Sequence, residues 1–169
     1  MSGSIIVRRI RAGEGPQLMQ VRLSALLDAP EAFESTYETS SKRPIDAWQA
    51  RAGAAAEGES ETVMIAESGS QWLAMAGAFS SERGRRVLFG MWVDPAWRRR
   101  GIANRLVSAV AEWAQAAGAP ELTLWVAEEN IPAATLYRRQ GFQPTGARKP
   151  MAGTEGVYEI EMSLALSGQ

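Results

Sequence analysis

Eighteen Lys and Arg against 19 Asp and Glu leave this 169-residue chain with a net charge of −1, and it contains neither cysteine nor histidine. The near-neutral balance argues against broad nucleic-acid binding, which needs a basic face. The two absences exclude disulfides, a Cys or His nucleophile, a His general base and the usual zinc ligand sets, so no metal is expected.

Taken in chain order, residues 5–10 (IIVRRI) read as a first strand. Over Gln17–Leu27 the apolar Leu18, Val21, Leu23, Leu26 and Leu27 suit one helix face, which "DAP" then ends. Residues 29–60 are rich in Ala, Glu, Ser and Gly and carry a second helix around Ile45–Ala56 between loops. Thr62–Ala66, Trp72–Phe79 and Arg86–Val93 read as an antiparallel meander, turning at "ESGSQ" and "SSERGR". Asp94-Pro95 stops the third of these strands, because proline offers no ladder donor.

From Gly101 to Ala117, residues Ile102, Leu106, Val110, Trp113 and Ala117 recur at helical spacing, with Gly118 as C-cap. Leu122–Val126 is a short apolar strand, and Asn130–Gln140 a helix closed by Gly141. Residues 155–166 alternate through Val157, Ile160, Met162 and Leu164 as a last strand. Strand, helix, strand and helix between residues 86 and 141 imply a parallel pair across a helical crossover. The class is α/β, or α+β, with a mixed sheet. No repeat, low-complexity tract or interdomain linker interrupts it. No run approaches the roughly eighteen apolar residues of a membrane helix, and residues 1–20 lack a signal-peptide layout. A cytoplasmic location without a membrane partner is therefore the expectation.

The stretch "WRRRGIA" (97–103) places three arginines before a glycine and an alanine, between a strand and an amphipathic helix. Unpaired N–H groups at a helix N-terminus, with the helix dipole behind them, favour an anion. Gly101 lets a phosphate approach the backbone, Ala103 keeps the first turn narrow, and Arg98, Arg99 and Arg100 supply charge and forked donors. Neither a Walker A loop nor a G-x-G-x-x-G turn is present. A second constellation follows in "WVAEENIPAATLYRRQGF" (125–142). There Asn130 suits an N-cap and Tyr137 lies seven residues on, roughly 10 Å along the axis near the same face. Alone, Asn130 is simply a cap and Tyr137 a core aromatic.

Together, "MWVDPAWRRRGIANRLVSAVAEWA" and "NIPAATLYRRQGF" closely resemble the GCN5-related N-acetyltransferases (GNAT). That family's Arg/Gln-x-x-Gly-x-Gly/Ala signature is matched by Arg98, Gly101 and Ala103. Its later Asn-x-x-Ala-x-x-Leu-Tyr…Gly-Phe pattern is matched by Asn130, Ala133, Leu136, Tyr137, Gly141 and Phe142. The resemblance implies a single N-acetyltransferase domain over residues 1–169. It also implies a mostly antiparallel sheet of six to seven strands, splayed between strands 4 and 5 and flanked by about four helices. Acetyl-CoA would lie in the splay. Met91, Trp92 and Val93 would bind the pantetheine arm, as would Asn130. The backbone of Arg99, Arg100, Gly101, Ile102, Ala103 and Asn104 would hold the pyrophosphate, with Arg98 adding charge. Tyr137 would protonate the departing thiolate.

The phenol's ordinary pKa of ~10 lies not far above a thiol's ~8.5. Without Cys or His, direct attack by an amine is expected rather than an acyl-enzyme. Some relatives carry a glutamate base on the strand before the Asn, where this chain has Leu122, Leu124 and Trp125. The base is thus unassigned among Glu34, Glu38, Glu82 and Glu159. The acceptor is expected to be a small or medium amine, met by Glu31, Phe33, Glu34, Tyr37 and Glu38 of the 29–40 loop; a homodimer is left open. The rival reading is a non-catalytic acyl-CoA-binding module, against which the presence of Tyr137 counts.

Overall fold

A computed structural model describes residues 3–167. One sheet holds seven strands: β1 (Ile6–Arg9), β2 (Glu61–Ser68), β3 (Gln71–Ser80), β4 (Arg86–Val93), β5 (Glu121–Ala127), β6 (Gln143–Pro150) and β7 (Tyr158–Ala165). Their order is β1-β2-β3-β4-β5-β7-β6, and every neighbouring pair is antiparallel except β4–β5. The helices are α1 (Gly15–Asp28), α2 (Tyr37–Ser41), α3 (Ile45–Glu57), α4 (Ile102–Ala116) and α5 (Ile131–Arg139). Four of them are the helices expected from the sequence. The five-residue α2, capped by the Thr36 hydroxyl accepting from the Thr39 N–H at 3.1 Å, is too short to leave a periodic signal.

The sheet's two faces are covered by different helices for a reason visible in side-chain size. On one face β2 and β3 present Ala66, Ala74, Ala76 and Ala78, and α4 lays Ile102, Leu106, Val107, Val110 and Ala114 against them. Short strand side chains let the helix sit close, and its own branched residues fill the space. On the other face α1 and α3 pack through Leu18, Val21, Ala25, Trp48 and Ala52 onto Ile65, Met75 and Trp92. Arg9 holds the end of α3 there, donating to the carbonyls of Ala55 at 2.9 Å and Glu61 at 3.2 Å.

Strand β6 is absent from the sequence reading. Its segment, QPTGARKP, carries two prolines and is exposed throughout, so no apolar alternation marks it. It survives as a strand because it lies at the sheet edge, where proline's missing donor costs no ladder bond.

What matters most for function is how briefly β4 and β5 stay together. They pair in parallel only over Arg86–Leu88 and Leu122–Leu124. Opposite β3, Met75 faces Trp92 but Gly77 faces Phe89, so β4 accommodates an extra residue. That bulge contains Gly90, with φ +66°, a left-handed value that glycine reaches without strain. Beyond it, the β4 edge facing β5 has no strand partner.

The bulge depends on Gly77, where an added Cβ would lie 2.7 Å from the Phe89 ring. Gly77→Ala should therefore cost about 1–3 kcal/mol by overpacking. In a Phe89→Ala background the same change should cost markedly less. Chemical denaturation of the four proteins measures both numbers, and equal costs in the two backgrounds would mean that the ring is not what Gly77 makes room for.

Candidate active site

The loop after β4 is built to leave backbone donors free. Asp94 caps a single 3-10 turn at Pro95–Trp97 by accepting from the Ala96 N–H at 2.9 Å. The chain then passes through Arg99 at φ +63° and Gly101 at φ +77° before α4 begins. A left-handed arginine costs about 1 kcal/mol and persists only where its surroundings impose it. The first helical bond of α4 runs from the Arg105 N–H to the Gly101 carbonyl at 3.2 Å, and no side chain caps the start. The N–H groups of Ile102, Ala103 and Asn104 therefore point out of the helix unpaired. They open on a cavity of ≈ 200 Å³ lined also by Val93, Trp97, Arg99 and Leu136. A Cβ on Gly101 would meet nothing within 4 Å.

The three arginines behave differently from one another. Arg98 turns back, donating through Nε to the Val93 carbonyl at 2.9 Å and through Nη2 to Asp28 Oδ2 at 2.7 Å. The same carboxylate oxygen accepts from the Trp92 indole at 2.9 Å. Asp28 thus ties the end of α1 to β4 and to the loop, and the charge of Arg98 is neutralised within the protein. Arg100 lies over the Trp97 ring at 4.8 Å, while Arg99 is exposed. The start of α4 is fastened to the end of α5 by Gln140 donating to Asn104 Oδ1 at 2.6 Å. Asp28, Trp97 and Gln140 were not singled out in the sequence. Asp28 reads there merely as part of a helix stop, and nothing local marks its partners 64 and 70 residues away.

Asn130 caps α5, its Oδ1 accepting from the Ala133 N–H at 3.3 Å. Tyr137 is buried in the α4 core, edge-on to Phe142 with ring centroids 5.7 Å apart. Burial pushes its phenol pKa well above the ordinary value, so the proton stays on oxygen. Met91 and Val93 are half-buried and Trp92 is buried, all three on the part of β4 that has left β5.

Of the four carboxylates weighed as a base, Glu38 forms an exposed pair with Lys42 at 3.3 Å, and Glu82 is exposed in the β3–β4 turn. Glu34 and Glu159 come together. Glu159, on β7 opposite Ala127, is only 6% exposed, and its Oε1 has no hydrogen-bond partner. Burial raises its pKa, the adjacent Glu34 adds to the rise, and Lys149 at 3.9 Å opposes it. Elsewhere in the 29–40 loop, Phe33 packs against α1, whereas Glu31 and Tyr37 face solvent. Among the described residues no His/Cys/Asp/Glu group could hold a metal ion, and no helix is long and apolar enough to cross a membrane.

The acetyltransferase (GNAT) family model matches residues 23–142, from α1 through Phe142. The chain belongs to the GNAT family. Among curated relatives, rat N-acetyltransferase 8B is 36% identical over 91 residues, covering 51% of this chain and 41% of that protein. The chain thus spans well under two thirds of that relative's length. Two solved GNAT-fold proteins match nearly end to end. An acetyltransferase of the GNAT family from Streptococcus pneumoniae gives a TM-score of 0.85 at 16% identity, covering 97% of this chain and 100% of that one. The protein yncA from Salmonella typhimurium, described with its cofactor acetyl-CoA, gives 0.80 at 17%, covering 99% and 96%. This GNAT chain therefore has the family's fold, with β4 parting from β5 where the resemblance implies the splay.

The Asp28 tether is also a pH-dependent one. The indole hydrogen bond, and then Arg98, hold its pKa below the ordinary carboxylate value. A depressed folded pKa gives stability that is present at neutral pH and lost as pH falls toward and through that value, below ~4. Asp28→Asn should lower Tm at pH 7 and should show a smaller further fall between pH 6 and pH 3 than the parent. Parallel acid profiles for the two proteins would remove Asp28 as a contributor.

Proposed function

We propose that this chain is an acetyl-CoA-dependent N-acetyltransferase that acetylates a primary amine of a small acceptor by direct attack in a ternary complex. The observation that carries this reading is the α4 start. Three unpaired N–H groups surround a glycine whose missing Cβ leaves open space, beside a cavity large enough for a diphosphate. Family membership and the acetyl-CoA described with the Salmonella protein support the same cosubstrate. In this reading the backbone of Arg99 to Asn104 holds the pyrophosphate. Met91, Trp92, Val93 and Asn130 hold the pantetheine arm. Arg98 acts indirectly, by fixing the loop through Asp28 and Val93.

Acetyl-CoA supplies a thioester. When the amine displaces the thiol, a C–N bond forms, the C–S bond breaks, and one proton must leave nitrogen while another reaches sulfur. Glu159, its pKa raised by burial and by Glu34, suits the removal of the amine proton, because a carboxylate of higher pKa is the stronger base. Tyr137 suits a hydrogen bond to the departing sulfur, which leaves as a thiolate and takes its proton from solvent. The phenol's pKa lies further above a thiol's than that of a free tyrosine, so its contribution is a hydrogen bond to the developing thiolate. Free N–H groups along the parted edge of β4 are placed to polarise the thioester carbonyl.

Gly101→Ala should raise the acetyl-CoA Kd about tenfold or more, because the new methyl enters the cavity. Gly118→Ala is the control: Gly118 has a similar φ of +79° and equally open surroundings at the far end of α4. It carries the same strain and should leave Kd alone. Calorimetry in which the two variants bind alike would move the phosphates away from this loop.

Tyr137→Phe and Glu159→Gln should each lower kcat about 10²-fold with acetyl-CoA affinity held. Only Glu159→Gln should also lose the acid limb of the kcat/KM profile. Release of free CoA with a panel of amines checks the activity itself. Binding of acetyl-CoA with no release for any amine would favour a non-catalytic acyl-CoA-binding module.

A further inference from the structure

On the α1/α3 face, beside the β4 bulge, three arginines stand without counter-ions. Arg22 of α1 and Arg51 of α3 line a small cavity of about 20 Å³ whose floor includes Phe89 and Gly90. Arg43, in the turn before α3, adds a third positive charge close enough to act on both. Arg22 reaches the bulge itself: a Cβ on Gly90 would lie 3.0 Å from its Nη1. None of the three makes a salt bridge or a side-chain hydrogen bond among the described residues. Arg22 and Arg43 only lie over the rings of Phe33 (4.7 Å) and Trp48 (6.0 Å), and the nearest acid to Arg51, Glu61, acts through space alone. Desolvation, then the charges of Arg51 and Arg43, push the Arg22 guanidinium down to about 10.

Elsewhere in this protein the part-buried arginines are hydrogen-bonded or ion-paired to carboxylates, hydroxyls or carbonyls, with the buried Nε of Arg86 alone left over among the described residues. Arg8 holds Glu14 and Glu67, and Arg9 holds carbonyls at the end of α3. Two unmatched, largely desolvated arginines, Arg22 and Arg51, next to a bulged strand are costly unless something negative completes them. We infer that Arg22 and Arg51 receive a carboxylate carried by the acceptor itself, so that the preferred acceptors are amino acids rather than uncharged amines.

The size and position of the cavity select that anion. It admits about one water-sized group, so a single carboxylate oxygen can enter beside the guanidinium groups, whereas a bulkier phosphate has less room. The second pole of a zwitterion is also provided for. Phe33 lies on Arg22, and the next residue, Glu34, lies on Glu159. Consecutive Cα atoms are only ~3.8 Å apart, so one dipeptide joins the cationic cluster to the acidic pair. An amino acid bound under this dipeptide would turn its carboxylate toward the arginines and its amine toward the acidic pair. This inference rests on the acetyltransferase reading and narrows its acceptor.

The test compares matched acceptors. The purified protein is assayed for CoA release with L-methionine, L-phenylalanine and L-glutamate, each beside its α-carboxamide, and with a 1-aminoalkylphosphonate. A charged hydrogen-bond pair predicts a preference of about 30-fold or more in kcat/KM for at least one acid over its amide, with the phosphonate poorer than the acid. Arg22→Gln and Arg51→Gln should each reduce that preference about tenfold, mainly through acceptor KM, while the acetyl-CoA Kd is unchanged. Because a substitution beside the bulge could unfold the chain, the acid-to-amide ratio of the parent protein stands as an independent arm. If amides are used as well as acids, or if both variants keep the preference, the carboxylate assignment is overturned and the acetyltransferase reading survives. No CoA release with any amine, despite acetyl-CoA binding, overturns both.

Discussion

The parting of β4 from β5 is the constraint on which everything else rests. Three paired residues are enough to hold the two halves of the sheet together, and the Gly90 bulge then turns β4 away. A regular strand here would pair its whole edge with β5 and consume the donors that the proposed function assigns to the thioester. The bulge needs two glycines for two reasons: Gly90 for its left-handed φ and Gly77 for the Phe89 ring above it. One side of the parting leads to the α4 loop and its free amides. The other leads to the floor beneath Arg22.

The chain's overall charge balance hides a local asymmetry. Arg8 and Arg98 are engaged by carboxylates and hold secondary structure in place. The three-arginine loop that attracts notice in the sequence therefore carries less free charge than its composition implies. Backbone amides, ordered by a left-handed arginine and a left-handed glycine, are its stronger anion donors. The unmatched charge lies instead at Arg22, Arg43 and Arg51, three residues with no spacing that draws attention to them. Only the fold brings Arg22 and Arg51 to one cavity, with the charge of Arg43 nearby.

That contrast explains what could be read from the sequence. Elements with a buried face and a clear period, such as β4 and α4, are legible to within a residue or so, because burial imposes the pattern. The Gly101 loop is legible because a strand–loop–helix transition is local, whereas Tyr137 stands out only through the family resemblance. β6 is not, since an edge strand exposed on both faces has no pattern to impose. The carboxylate pairing of Glu34 with Glu159, and the tether from Asp28 to Trp92 and Arg98, join residues dozens of positions apart. Such contacts depend on topology, and a residue type alone does not announce them.

Helix α1 links the two sides of the parting. Asp28 at its end grips the β4–α4 loop through Arg98, and Arg22, six residues earlier, stands over the bulge. Six residues are nearly two turns, or about 9 Å of rise, so both groups belong to one rigid segment. The Trp92 indole completes the triangle, since it is held by Asp28 while its backbone lies on the parted stretch of β4. The position of α1 against the sheet, set by Leu18, Val21 and Ala25, therefore fixes the loop and the arginine cluster together. The β4–α4 loop and the arginine cluster, on opposite sides of one strand, are in this way kept in register by a single packed helix.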